Sequence, residues 1–149
     1  MVQVTPFLLL LSLALVASGL SSRKCVLTGE WINDLGSNMT VKTVNEDGSF
    51  NGIYHTAVSR HPVVIKDSPL KGYQHNRSPT NQTVFGFTVN WNFSDAVAVF
   101  TGQCFMDENG KELLKTVWLL RSPVGKIQDD WKATMVGVNN FTRLCSEEE

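Results

Sequence analysis

The chain has 149 residues, with 13 Lys+Arg against 14 Asp+Glu, a formal net charge of -1, 42% hydrophobic and 18% charged residues. That length suits one domain with a sizeable core. Near-neutrality without a basic block argues against a nucleic-acid binder, whose affinity comes from Lys and Arg at phosphates, and low charge with many Gly and β-branched residues argues against a coiled coil or a disordered chain.

Residues 1–22 read as a secretory signal peptide. An apolar run over 7–17, too short to span a membrane, is followed by the small residues Ser18, Gly19, Ser21 and Ser22. The segment lacks the usual positive start apart from its α-amino group. Predicted cleavage follows Ser22, with Gly19 as the rival position, and leaves a single domain over 23–149. No later stretch approaches membrane length, so a soluble, extracellular product without membrane association is expected.

Eight strand candidates follow, at 25–32, 39–44, 49–57, 63–66, 84–93, 97–105, 112–121 and 131–144, and nothing reads as a long helix. The clearest is 84–93. There Phe85, Phe87, Val89, Trp91 and Phe93 share one face, and Gly86, Thr88, Asn90 and Asn92 share the other. Asp47-Gly48 and Asn109-Gly110 are tight-turn signals. Residues 125–130 read as a short turn or a single helical turn. Strands joined by short turns favour an all-β, antiparallel up-and-down order, and eight of them can close into a β-barrel with room for one small ligand. Strand count alone leaves a two-sheet sandwich open.

Export places cysteines where they pair, and three cannot all pair within one chain. Cys25 and Cys104 flank or lie in strand-like segments while Cys145 sits in a polar tail, so a Cys25–Cys104 bridge is the simplest assignment. Cys145 then either joins two chains or stays free or capped. Acceptor triplets begin at Asn38, Asn81, Asn92 and Asn140. Asn38 and Asn81 are the expected glycosylation sites, Asn81 standing in a Ser/Thr/Pro/Asn stretch that reads as an exposed loop. Asn76-Arg77-Ser78 is spoiled by Pro79.

In a barrel, parity turns Trp91, Phe93, Phe100 and Trp118 inward as aromatic walls. Asn33, Ser37, Tyr54, Thr56 and Asn139 lie in or beside the same strands. Polar side chains facing an apolar lumen are costly unless something hydrogen-bonds them. Several of them among aromatic walls describe a ligand pocket with a few directed contacts.

Four stretches carry a resemblance: Leu27-Thr28-Gly29-Glu30-Trp31-Ile32-Asn33-Asp34-Leu35-Gly36-Ser37, Phe85-Gly86-Phe87-Thr88-Val89-Asn90-Trp91, Phe100-Thr101-Gly102-Gln103-Cys104 and Asp129-Asp130-Trp131-Lys132-Ala133-Thr134. Through them, from Arg23 to about Leu144, the chain resembles the avidin family of biotin-binding proteins, and the streptavidins more remotely. The resemblance implies an eight-stranded barrel holding biotin. It assigns Asn33, Ser37 and Tyr54 as donors to the ureido oxygen, and Thr56 and Asn139 as acceptors for the ureido N–H groups. Trp91, Phe93, Phe100 and Trp118 become the aromatic box, Ser59 and Ser94 meet the valerate carboxylate, and Trp131 caps a neighbouring subunit's site.

The chain also departs from the family pattern. Ala98 stands where a hydroxyl near the biotin sulfur is usual, Ala96 replaces a hydroxyl at the carboxylate, and Arg60 replaces a small residue in a loop over the site. Specific binding that is weaker or releases faster than is usual in the family is therefore expected, partly offset if Arg60 pairs with the carboxylate. A glycan at Asn92 would sit at the pocket mouth, so that triplet is expected to be little used. Val117, Val136 and Val138 take the outward parity, and the resemblance implies that a homotetramer covers them, with Cys145 a candidate interchain link.

Catalysis and metal binding find little support. His55, His61 and His75 show no ligand spacing, and no nucleophile elbow or phosphate loop occurs. A non-enzymatic binder without a cofactor is the expectation. The rivals are a secreted barrel carrying another small apolar ligand and a structural protein whose lumen is merely packed.

Overall fold

A computed structural model describes residues 25–75 and 82–144. The expected signal segment, Asn81 and Cys145 lie outside the described residues. The strands are β1 Gly29–Asn33, β2 Asn38–Val41, β3 Ser49–His55, β4 Ser68–Gln74, β5 Thr83–Asn90, β6 Val97–Met106, β7 Glu112–Arg121 and β8 Thr134–Arg143. Each pairs antiparallel with the next, and β8 returns to β1 through Asn33 opposite Phe141 and Trp31 opposite Arg143. That last ladder makes the fold a closed barrel and rules out the two-sheet alternative.

Alternation drives the closure. On β5, Phe85, Phe87 and Val89 are buried while Val84, Thr88 and Asn90 are exposed, as a strand with one wet face requires. Trp31, Leu70, Val89, Leu114 and Phe141 fill the interior, all but inaccessible to water.

β1 starts later than expected, at Gly29, and β2, β3 and β5 end earlier, at Val41, His55 and Asn90, so Trp91 and Phe93 stand in the connection after β5 and not on it. Two further differences are larger. Residues 63–66 form no strand, and β4 runs instead over Ser68–Gln74. The β-branched pair Val63 and Val64 misled, being 45% and 79% exposed in a connection. Pro69 and Gly72 hid the real strand. Pro69 pairs with Ile53 of β3 but precedes the first β4–β5 partners, Leu70 and Val89, so the strand is paired on one side there, where a residue lacking an N–H is tolerated. The second difference is that β8 begins at Thr134, because Ile127–Lys132 forms a 3-10 helix carrying Trp131.

The up-and-down order sorts the connections to two ends. At one end lie the turns around Gly48 and Gly110, whose positive φ values of 84° and 75° fit the expected tight turns. Here too the Cys25–Cys104 disulfide ties the entering chain to β6. Arg143 straps this end shut. Its guanidinium lies 3.9 Å over the Trp31 ring, its Nε donates to Glu112 at 2.5 Å, and its terminal nitrogens donate to the Thr28 and Val26 carbonyls. Glu112 in turn accepts from the Val26 N–H at 2.8 Å. Burial alone would raise the Glu112 carboxyl, but the Arg143 hydrogen bond and charge and the Val26 N–H outweigh it and hold it below its ordinary range. The opposite end carries the long connections, 56–67 and 122–133, together with 34–37 and 91–96.

Candidate ligand-binding site

The buried polar side chains gather toward the long-loop end. Asn33 closes β1, Ser37 precedes β2, Tyr54 lies near the end of β3 with Thr56 just beyond it, and Asn139 points in from β8. All five are at least nine-tenths buried. Their local bonding decides what each can offer. The Asn33 Oδ1 accepts from the Leu35 and Ser37 backbone N–H groups at 2.9 and 2.8 Å, which fixes its amide and turns Nδ2 toward the Tyr54 hydroxyl at 3.3 Å. Ser37 Oγ accepts from the Ala57 N–H at 3.0 Å. Thr56 Oγ1 donates to the Val58 carbonyl at 2.9 Å.

Burial raises the Tyr54 pKa well above its ordinary value, and the Asp34 charge adds to this, against the lowering by hydrogen bonds from Ser37 and Asn33. Tyr54 is thus a neutral phenol, a fixed O–H donor held between Asn33 and Ser37. Across the lumen, Asn139 Oδ1 accepts from the Trp118 indole at 2.8 Å while its Nδ2 donates to Asp34 at 2.7 Å. An indole N–H only donates and a carboxylate only accepts, so this amide too has one orientation, with its oxygen toward Trp118. Asp34 is the positioning residue that sequence reasoning missed; the quoted Leu27-to-Ser37 stretch contains it, but nothing in one dimension joins it to β8.

Aromatic walls complete the chamber. Tyr54 meets Trp91 edge-on at 5.5 Å, Phe100 at 5.6 Å and Phe141 edge-on at 6.3 Å. Phe93 leans on Trp91 at 5.6 Å. Trp118 lies flat across Gly137, where an added Cβ would collide with its ring; that glycine sets the position of the wall. Phe141, wholly buried beside Tyr54, is a second residue the sequence reading left out.

The family profile described as "Avidin family" matches residues 21–144. The chain belongs to the avidin family. It is 63% identical over 142 residues to Avidin of Gallus gallus, covering 95% of this chain and 93% of that one. Avidin-related protein 4/5 of Gallus gallus is 64% identical with the same coverage. Among solved structures, "X-ray structure of biotin binding protein from chicken" superposes with a TM-score of 0.79 at 51% identity, over 82% of this chain and all of that one (100%).

The other expected site residues of this avidin-family barrel sit at its mouth. Ser59 and Ser94 are exposed on the 56–67 and 91–96 connections, where their hydroxyls accept from the His61 and Ala96 N–H groups at 3.4 and 3.3 Å. Arg60 reaches over to Met135 Sδ at the start of β8. Trp131 stands 82% exposed, turned away from its own chain's chamber. Asn92 is engaged, its Nδ2 donating to the Asp67 carbonyl at 2.7 Å, whereas Asn38 is exposed on β2. His55 faces outward against Asp67 at 2.7 Å. Among the described residues one trio has metal-capable spacing, Cys25, Cys104 and Glu112, and its two sulfurs are bonded to each other.

Proposed function

We propose that the chain is a secreted, non-enzymatic binder that holds biotin non-covalently in the barrel lumen. One observation carries the reading: a neutral Tyr54 donor braced between Asn33 and Ser37 faces an amide whose oxygen is fixed by Trp118. A cyclic urea offers one carbonyl oxygen to several donors and two N–H groups to acceptors, and this arc has that polarity. Asn33, Ser37 and Tyr54 take the oxygen; Thr56 and Asn139 take the N–H groups. Convergent donors in a dry site polarise the carbonyl, and low dielectric strengthens each contact. Trp91, Phe93, Phe100 and Trp118 cover the ring faces, and Ser59 and Ser94 stand where a carboxylate tail leaves. The name of one structural neighbour, a biotin binding protein from chicken, supports the choice of ligand.

Within the same reading the active form is a homotetramer. Val117, Val136 and Val138 are 46%, 67% and 69% exposed on the outer face of β7 and β8, an apolar patch of the kind that association covers. Trp131 then serves a neighbour's chamber rather than its own, and Cys145 is a candidate interchain link. Release is faster than in avidin, because Ala96 and Ala98 offer no hydroxyls and Arg60 is engaged at Met135. Asn38, exposed on its strand, and Asn81 are the proposed glycan sites.

Calorimetric titration of the secreted protein with biotin, on material whose mass is checked by light scattering, tests this. One biotin per chain, a raised melting temperature with ligand and a tetramer mass are expected. No heat and no stabilisation would sink the reading in favour of a barrel for another small apolar ligand.

A further inference from the structure

Among the described side chains, one polar atom is buried without any partner: the indole nitrogen of Trp91. A buried donor left unpaired is costly and calls for a cause. Its surroundings supply one. In the β5 ladders Val89 stands opposite Leu70 on one side and Ala98 on the other. Past the strand end, Trp91 follows Asn90, which stands opposite Val97, and the next residue's N–H, that of Asn92, meets the Ser68 hydroxyl. The Ser68 hydroxyl donates to the Lys66 carbonyl at 3.2 Å and accepts from the Asn92 N–H at 3.0 Å, and takes nothing from the indole. Ala96 and Ala98, the inward residues on the other side, are buried at 7% and 2% exposure and carry only methyl groups. Thr56 Oγ1 donates to the Val58 carbonyl and Ser94 Oγ accepts from the Ala96 N–H, and neither accepts from the indole.

Trp118 shows the contrast within one chamber. Its indole N–H is tied to Asn139 at 2.8 Å and its ring is braced by Gly137. Trp91 makes ring contacts with Tyr54 and Phe93 and packs against the core, with no directed bond from its indole.

We infer that the alanines at 96 and 98 are positioning residues for ligand retention: by withholding an acceptor from the Trp91 indole they leave one wall of the chamber untethered. The inference rests on the biotin reading for its ligand, while its structural half stands on the ligand-free protein. A hydroxyl at either position gives the indole an acceptor, steadies the wall and slows release. One net hydrogen bond corresponds to about threefold to tenfold in rate.

The test compares the full chain with Ala96→Ser, Ala98→Ser, Trp91→Phe and each serine combined with Trp91→Phe. Ultraviolet resonance Raman of the ligand-free proteins reads the hydrogen bonding of the indole N–H. Displacement of a fluorescent biotin conjugate reads release. The expected result is a free indole signal in the parent, a hydrogen-bonded signal and about threefold to tenfold slower release in at least one serine variant, and no slowing by that serine in the Trp91→Phe background. A bonded indole in the parent, an unshifted spectrum in both serine variants, or equal slowing when Trp91→Phe is also present would each overturn it. A shifted spectrum with unchanged release also overturns it. If no biotin binds at all, the proposed function fails, and the spectra still decide whether the indole is free.

Discussion

The two ends of the barrel treat buried polarity in opposite ways. At the turn end, Arg143 sits over Trp31 and its nitrogens are matched by Glu112 and two backbone carbonyls, with a disulfide alongside. At the loop end, Asn33, Tyr54 and Asn139 are bonded just enough to fix their orientation, and the Trp91 indole has no partner. A saturated end holds the chain together; an end with oriented, unspent groups is prepared to receive something. The difference separates residues whose loss unfolds the barrel from residues whose loss empties it.

Removing the disulfide should separate the two ends most sharply. Cys25→Ser with Cys104→Ser frees a closure spanning 79 positions, and denaturant melting should show a loss of about 2–5 kcal/mol. Biotin affinity of the fraction still folded should change little. An equal loss of affinity would mean that the two ends are not independent.

Tyr54→Phe should act at the other end alone. It removes one O–H from a dry arc and leaves the Asn33 amide facing a bare ring edge, so affinity by calorimetry should fall by about tenfold to a hundredfold. The ring contacts with Phe100 and Trp91 remain, and the ligand-free melting temperature should stay near the parent's.

The smallest effect is a pH dependence confined to the turn end. Because the Glu112 carboxyl is held below its ordinary value of 4.5 in the folded chain, its contribution is fully present above that value. It is lost as pH falls through the lower, folded value, where the carboxylate takes up its proton. Glu112→Gln should therefore be less stable than the parent near neutrality, and the gap should close on acidification. A gap that is constant with pH would mean that Glu112 acts by packing and not by charge.

Much of this arrangement is legible in one dimension. Alternation on 84–93 places Phe85 and Phe87 inside, and the glycine turns at Gly48 and Gly110 divide strands correctly. The failures are equally physical. Val63 and Val64 have strand character but lie in a connection, and Ser68-Pro69 has turn character but opens a strand, because pairing with β3 on one side overrides local preference.

Residue order alone is enough to set the strand faces and the residue types that meet in the lumen, since a period of two and the solubility of each side chain act locally. How those groups are spent depends on closure of the barrel. Asp34 reaches Asn139 across 105 positions, the Ser68 hydroxyl turns to Asn92, and the Trp91 indole finds nothing. A hydrogen bond depends on distance and direction between atoms that closure brings together.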